Sequence, residues 1–181
     1  MSRTNQDDLR EQALPGRQDD AEVRQSLYES YHRGLHTLTV RLVGVQDAED
    51  VLQQVFLRTF ENIDQFAGRS SFKTWLYRVA MNEALQHLRK RQHRTHQPLD
   101  REPPDRSTGQ EQSVAQKELM EKALSRLDPE LRSILLLKEI DAMSYDEIAE
   151  VLQIPQGTVG SRLNRARREL RTHLIYLGWE V

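Results

Sequence analysis

Polar side chains at helical spacing near the carboxyl end of the chain have the chemistry that reads duplex DNA. An arginine can donate two hydrogen bonds to guanine, an asparagine amide can pair with adenine, and further arginines can bind phosphates. At about 100° per residue, most of these side chains point away from the apolar stripe of the same segment, and one lies on its flank. The predicted major-groove contacts are Ser161, Arg162, Asn164, Arg165 and Arg168.

The segment that carries these side chains has the pattern of two short helices joined by a tight turn. Ser144 and Glu147 are spaced as a capping box, which predicts that the first helix begins there. Pro155 suits the start of the second helix, since its fixed φ and missing N–H cost little at that position. The pattern is that of a helix-turn-helix. A solvated cationic face is the alternative for an isolated arginine-rich helix, but the capped preceding helix favours duplex DNA as the partner.

A second cationic surface is predicted near the middle of the chain. The cations at positions 89, 90, 91 and 94 have no acidic neighbour, and two amides lie upstream of them, one helical turn apart. Clustered cations are unfavourable unless an anion binds, and exposed amides beside them suit DNA that is partly unpaired. The predicted contacts to this second stretch of DNA are Asn82, Gln86, Arg89, Lys90 and Arg91.

The composition excludes several classes of protein. Of 181 residues, 37% are hydrophobic and 30% charged, with a formal net charge of −2, which is ordinary for a soluble helical protein. The chain has no cysteine, so disulfides and cysteine-based zinc sites are excluded. No apolar stretch approaches the roughly 20 residues that cross a bilayer, and the polar start is not a signal peptide. We therefore expect a cytoplasmic protein without membrane insertion.

The sequence predicts no enzymatic site. It contains no Gly-rich phosphate loop, nucleophile elbow or Cys–His arrangement. His32 and His36 are spaced as zinc ligands could be, but a third ligand with matching spacing is missing, so we assign them to a polar flank of the first helix. We expect no catalytic residue, no metal and no cofactor.

Apolar periodicity predicts an all-α protein with two small helical domains joined by a flexible linker. Residues 1–20 are expected to form a flexible tail, and residues 21–94 a three-helix bundle. The polar, proline-interrupted residues 95–113 suit a linker. Residues 114–177 are expected to form the second domain, which contains the helix-turn-helix.

Capping residues predict where several helices begin. Asp47 is predicted to cap the second helix, either Ser70 or Ser71 the third, and Asp128 a helix of the second domain. Trp75 lies on the apolar stripe of the third helix and is assigned to the core rather than to DNA binding.

Several motifs follow one another along the chain in a defined order, on either side of the predicted linker. They are Asp47-Ala-Glu-Asp50 with Val51-Leu-Gln-Gln-Val-Phe56, Ser71-Phe-Lys-Thr-Trp-Leu-Tyr-Arg-Val-Ala80, Leu88-Arg-Lys-Arg91, Leu127-Asp-Pro, Ser144-Tyr-Asp-Glu-Ile-Ala149 and Gly157-Thr-Val-Gly-Ser-Arg-Leu163. From about residue 21 to residue 174, the chain resembles the extracytoplasmic-function (ECF) group of bacterial RNA polymerase sigma factors.

The resemblance implies a sigma factor that binds core RNA polymerase and directs promoter-specific transcription initiation in a stress or signal response. The first domain would correspond to sigma region 2 and the second to region 4. Region 2 would recognise and help melt the downstream promoter element, with Asn82 near the first melted position, and region 4 would bind the upstream element. An anti-sigma factor is a further partner that the family implies. The residues expected to dock on the clamp helices of the polymerase largest subunit are Asp47, Asp50, Gln53, Gln54 and Phe56.

Three positions depart from the family pattern. Gly160 stands where lysine or arginine is common, Gln54 where an acidic residue is common, and Gln86 where aspartate is common. The expected upstream contacts therefore shift to the polar side chains that follow Gly160.

The alternative is a stand-alone helix-turn-helix regulator that binds palindromic DNA as a dimer. It would bind half-sites about one helical turn apart without a partner, whereas a sigma factor would act with core polymerase. The basic third helix with Asn82 favours the sigma factor, because a dimerising bundle has no need of it.

Overall fold

The computed structural model describes residues 21–94 and 111–179, and all regular secondary structure in these two ranges is helical. The predicted all-α class is therefore confirmed. The predicted tail and most of the predicted linker lie outside the described residues. The α-helices are α1 (Ala21–Val43), α2 (Val45–Asn62), α3 (Phe72–Arg94), α4 (Glu111–Ser125), α5 (Pro129–Glu139), α6 (Tyr145–Leu152) and α7 (Gln156–Tyr176).

Helices α1, α2 and α3 pack on one another as a three-helix bundle, called here the first module. Gly44 separates α1 from α2 with a φ of 92°, a conformation that glycine adopts without steric cost. The prediction that Asp47 caps α2 is wrong: the helix begins at Val45, and Gly44 is the cap. The Asp47 carboxylate is instead bound by α3 side chains, so it is not available to the backbone at the helix start.

The start of α3 is fixed by a cap and an aromatic cluster. Ser71, one of the two predicted caps, accepts a hydrogen bond from the Thr74 backbone N–H at 3.0 Å. Phe66, Phe72 and Trp75 pack with ring centroids 5.5–5.7 Å apart, and all three are buried. The assignment of Trp75 to the core is confirmed.

Helices α4 to α7 form the second module, which begins inside the stretch predicted as linker. Asp128 caps α5 through the Glu130 N–H at 2.9 Å, as predicted. The capping box of Ser144 and Glu147 is present at the start of α6. Gln153 ends α6 in the left-handed conformation, with φ 54°, and α7 begins three residues later, so the helix-turn-helix forms as predicted.

The two modules pack directly against each other. Helix α1 contacts α4 and α5, and α3 contacts α5 and α6. Buried apolar residues of both modules belong to one connected cluster. The sequence did not predict this contact.

Polar groups cross the interface between the modules at two places. The buried Arg132 guanidinium donates to the Leu42 carbonyl at 2.8 Å. The Tyr77 hydroxyl donates to Oδ1 of Asp141 at 2.6 Å, and Nζ of Lys73 donates to the Asp141 carbonyl at 3.4 Å. These two sets of contacts are called here the Arg132 contact and the Asp141 contact.

Candidate nucleic-acid interface

Helix α7 has one buried and one exposed face, arranged as the sequence predicts. Val159, Leu163 and Ala166 are completely buried in the second module. The predicted base-reading side chains lie on the opposite, solvent-exposed side, with Arg162 half-buried on the flank. The exposed residues are Ser161, Asn164, Arg165 and Arg168.

Two of the predicted arginines are held by carboxylates of their own module. Arg165 Nε donates to Glu169 one turn later at 2.7 Å, and this hydrogen bond raises the pKa of Arg165. Arg162 lies 3.4 Å from a Glu130 oxygen on α5. These pairs are on the surface, where an ion pair contributes little to stability and can exchange for a phosphate. The Asn164 and Arg168 side chains have no partner within the described residues.

Gly160 leaves space beside the predicted recognition face, and an aromatic ring lies next to it. A Cβ at this position would lie 3.5 Å from the Tyr145 ring, which is ordinary contact. Tyr145 is itself exposed, and its ring lies 5.6 Å from the Lys138 ammonium. A side chain at position 160 therefore fits sterically, although this chain has none.

The basic end of α3 is also exposed, but one of its cations is held by another helix. Asn82, Gln86, Arg89 and Lys90 are exposed. Arg91 is half-buried and donates to Oδ2 of Asp47 at 2.6 Å. His87 Nε2 lies 3.2 Å from the same oxygen. One residue predicted to bind DNA and one predicted to bind polymerase are therefore paired with each other.

The remaining residues predicted to bind polymerase lie on α2. Asp50, Gln53 and Gln54 are exposed. Phe56 is buried, with its ring centroid 4.7 Å from that of Tyr28. The ring therefore supports the surface from below and offers little area to a partner.

The two histidines considered as zinc ligands have other neighbours. His36 Nε2 lies 3.0 Å from Glu49, and the His32 and His36 rings stack with centroids 5.9 Å apart. Across residues 21–94 and 111–179, no three metal-ligating side chains converge. In the same ranges, no helix has the length and apolar character of a membrane span.

Sequence reasoning missed the residues at the interface between the modules. Arg132 interrupts the apolar run of residues 131–137. A cation in the middle of such a run is rarely buried unless it is paired, so this position carried a usable signal. Asp141 and Tyr77 carried no comparable signal, because their pairing depends on how the modules meet.

Comparison with known proteins places both modules in one family. Residues 27–94 match the family described as Sigma-70 region 2, and residues 117–170 match the family described as Sigma-70, region 4. The chain is 32% identical over 169 residues to the "ECF RNA polymerase sigma factor SigW" of Bacillus subtilis (strain 168). The matched region covers 86% of this chain and 90% of that protein.

Two solved structures share the fold. CnrH in complex with the cytosolic domain of CnrY superposes with a TM-score of 0.69 at 24% identity, covering 94% of this chain and 97% of that one. The sigma factor RpoE in complex with the anti-sigma factor NepR, from Bartonella quintana, gives a TM-score of 0.65 at 23% identity, covering 83% and 95%.

Proposed function

The chain belongs to the ECF group of sigma-70 RNA polymerase sigma factors, and on that premise we propose how its modules divide promoter-specific transcription initiation between them. The family acts by binding core RNA polymerase and directing it to promoter DNA. Sigma factors are not enzymes, so the polymerase supplies the catalysis and this chain supplies the promoter specificity. Its place is the cytoplasm, where polymerase and promoters are found.

The second module, α4 to α7, binds the upstream promoter element through α7. The major groove of B-DNA admits one α-helix, and the face of α7 opposite its buried stripe presents an amide and several guanidinium groups. Arg165 uses its Nε–H for Glu169, and its remaining N–H groups can donate to a base edge. Arg162 on the flank and Arg168 one turn onward bind phosphates in this proposal, and Ser161 and Asn164 complete the contact.

The first module, proposed as residues 21–94, contacts the downstream element through α3. Asn82 and Gln86 present exposed amides one turn apart, and Arg89 and Lys90 follow as exposed cations. Cations bind any phosphate backbone, whereas the amides can distinguish unpaired bases. Arg91 contributes from the position in which Asp47 holds it.

The same module binds core polymerase through the exposed side of α2. Asp50, Gln53 and Gln54 lie there and can dock on the clamp helices of the largest subunit. Asp47 is the weakest member of the predicted set, because its carboxylate is already bound by Arg91 and His87. An anti-sigma factor is proposed as a further partner, as NepR is for RpoE.

The observation that carries this proposal is the combination of two separate cationic surfaces with an exposed α2 face on one chain. The test measures binding of the chain to core polymerase and transcription by the resulting complex from a library of promoter templates. The double variant Asp50→Ala/Gln53→Ala is compared with the wild-type chain. We expect polymerase capture to fall while helicity is unchanged.

Glu61→Ala, an exposed change at the end of α2, is the matched control and should leave capture intact. Undiminished capture by the double variant would remove the α2 assignment. Footprinting of symmetric sites by the chain alone would instead favour the dimeric regulator.

A further inference from the structure

An exposed aromatic ring, which none of the proposed contacts uses, borders the reading side of α7. Tyr145 is the first residue of α6, and its relative exposure is 42%. Single exposed apolar side chains are common on protein surfaces, so exposure alone assigns no role to this ring. Its position beside α7 is the informative feature.

Gly160 leaves the ring uncovered on the side of α7. A Cβ at position 160 would lie 3.5 Å from Cε2 of Tyr145, and the Tyr145 hydroxyl does not come within 4 Å of the same point. The ring carbon therefore faces α7, and a long side chain at position 160 would lie across the ring. Because glycine has no side chain, the ring and the bare backbone of Gly160 form an apolar recess, called here the Tyr145 notch.

The ring of the Tyr145 notch is held in place by its neighbours. The capping box of Ser144 and Glu147 fixes the backbone where α6 begins. The Lys138 ammonium lies 5.6 Å from the ring centroid, within the range of a cation–π interaction. Lys138 itself donates to the Met143 carbonyl at 3.0 Å. A side chain that is already ordered loses little conformational freedom on binding, so the notch offers a defined surface to a ligand.

The residue one helical turn after Gly160 indicates which chemical group would enter the notch. At about 100° per residue, Asn164 lies about 40° from Gly160 around the helix axis, and its side chain is exposed. An asparagine amide pairs with N6 and N7 of adenine, and thymine is the base that presents a methyl group in the major groove. An apolar recess beside an adenine-reading amide therefore matches the thymine of the same or an adjacent base pair.

We propose that Tyr145 is a specificity-determining residue of the upstream contact, and that the Tyr145 notch accepts the C5-methyl group of a thymine in promoter DNA. The inference rests on the proposed function of α7 and adds a base preference to it. Apolar contact with the thymine methyl is a recognised form of direct readout. A hydrogen bond from the Tyr145 hydroxyl to a phosphate would carry no sequence information, and the experiment distinguishes the two contacts.

The test compares thymine with uracil, which lacks the methyl group. The chain assembled with core polymerase is bound to duplexes that carry its preferred upstream element, with deoxyuridine replacing each thymine in turn. Loss of the methyl that enters the notch should weaken binding about fourfold, as expected for one buried methyl-sized group. The other replacements should have little effect.

Variants at two positions show whether the ring causes this preference. Tyr145→Ala should bind the thymine and uracil duplexes equally, whereas Tyr145→Phe keeps the ring and should keep the fourfold preference. Gly160→Gln covers the ring and should lose the preference, whereas the methyl group of Gly160→Ala is too short to cover it. Tyr176→Ala is the matched control, because Tyr176 is an exposed tyrosine of the same module at the far end of α7, and it should keep the preference.

The notch is wrong if Tyr145→Ala keeps the wild-type preference, or if no uracil replacement weakens binding of the wild-type chain. Equal losses in Tyr145→Phe and Tyr145→Ala would also overturn it and would assign the hydroxyl to a phosphate. Failure of the proposed function has a different signature, since Asn164→Ala and Arg165→Ala would then leave binding to the upstream element unchanged, and the notch would be rejected with it.

Discussion

The two cationic surfaces differ in what their arginines are bound to. On α7, Arg165 is held by Glu169 one turn away on the same helix, at the protein surface. On α3, Arg91 is held by Asp47, a half-buried carboxylate of a different helix. The Glu169 carboxylate pairs with a side chain of its own helix, whereas the Asp47 carboxylate joins two helices of the bundle. An ion pair at a binding surface can therefore either leave the stability of the fold unaffected or contribute to it. Substitutions should distinguish the two cases.

The largest effect is expected at Arg165. Arg165→Ala removes a group placed to donate to a base edge, so binding of the polymerase complex to its preferred upstream element should weaken roughly five- to a hundredfold. Arg167→Ala is the matched control, since Arg167 lies on the same helix but is bound to Glu139 of α5 at 2.7 Å. Competition binding with matched and scrambled elements measures this effect. Equal weakening on both would mean that Arg165 binds phosphate.

The next effect separates the two surfaces most directly. Asp47→Asn removes the charge that pairs with Arg91 and His87. Because these groups are partly exposed to solvent, the first module should lose about 1 kcal/mol of unfolding free energy. Promoter melting should also weaken, because Arg91 loses its ion pair with Asp47. Urea denaturation and permanganate reactivity of the melted bases measure the two effects. If melting suffers while stability is unchanged, Asp47 has no role in the fold, and the contrast with Glu169 is lost.

A smaller effect is expected at Gly160. Gly160→Ala places a methyl group in ordinary contact with Tyr145, and alanine is favoured over glycine in a helix interior by about 0.5–1 kcal/mol. The second module should therefore gain about that amount, with upstream binding unchanged. Thermal denaturation checks the gain, and a loss of stability would show that the Tyr145 ring cannot accommodate a side chain there.

The smallest effect is expected at Glu169. Glu169→Gln keeps the shape of the side chain but loses the charge, and the pair is on the surface, so upstream binding should change by less than about twofold. Chemical denaturation should likewise show no loss. A loss of upstream binding as large as that expected for Arg165→Ala would mean that Glu169 is as important to the α7 surface as Asp47 is to the α3 surface.

Local features of the fold were predictable because their causes lie within a few residues. The cap at Asp128, the capping box at Ser144 and the buried stripe of α7 each depend on spacing along one helix. The exposed side of α7 follows from the same periodicity. Whether those side chains bind DNA, and whether the α2 and α3 residues bind as proposed, stays a prediction.

Features that depend on two helices were not predictable in the same way. Asp47 has the residue type and position of a cap, and only the approach of α3 shows that its carboxylate is used by Arg91. Phe56 belongs to an apolar stripe, and its burial beneath Tyr28 depends on α1. Tyr77 and Asp141 are 64 residues apart in sequence, so their hydrogen bond could not be predicted from the residues around either one.

The apolar cluster that continues from one module into the other has a thermal consequence. Separating the modules exposes apolar surface to water, and such exposure raises the heat capacity. The free energy of separation must then curve with temperature, passing through a maximum and falling on both cooling and heating. The chain should accordingly be most compact at intermediate temperature and should respond to a cold shift as well as to a warm one.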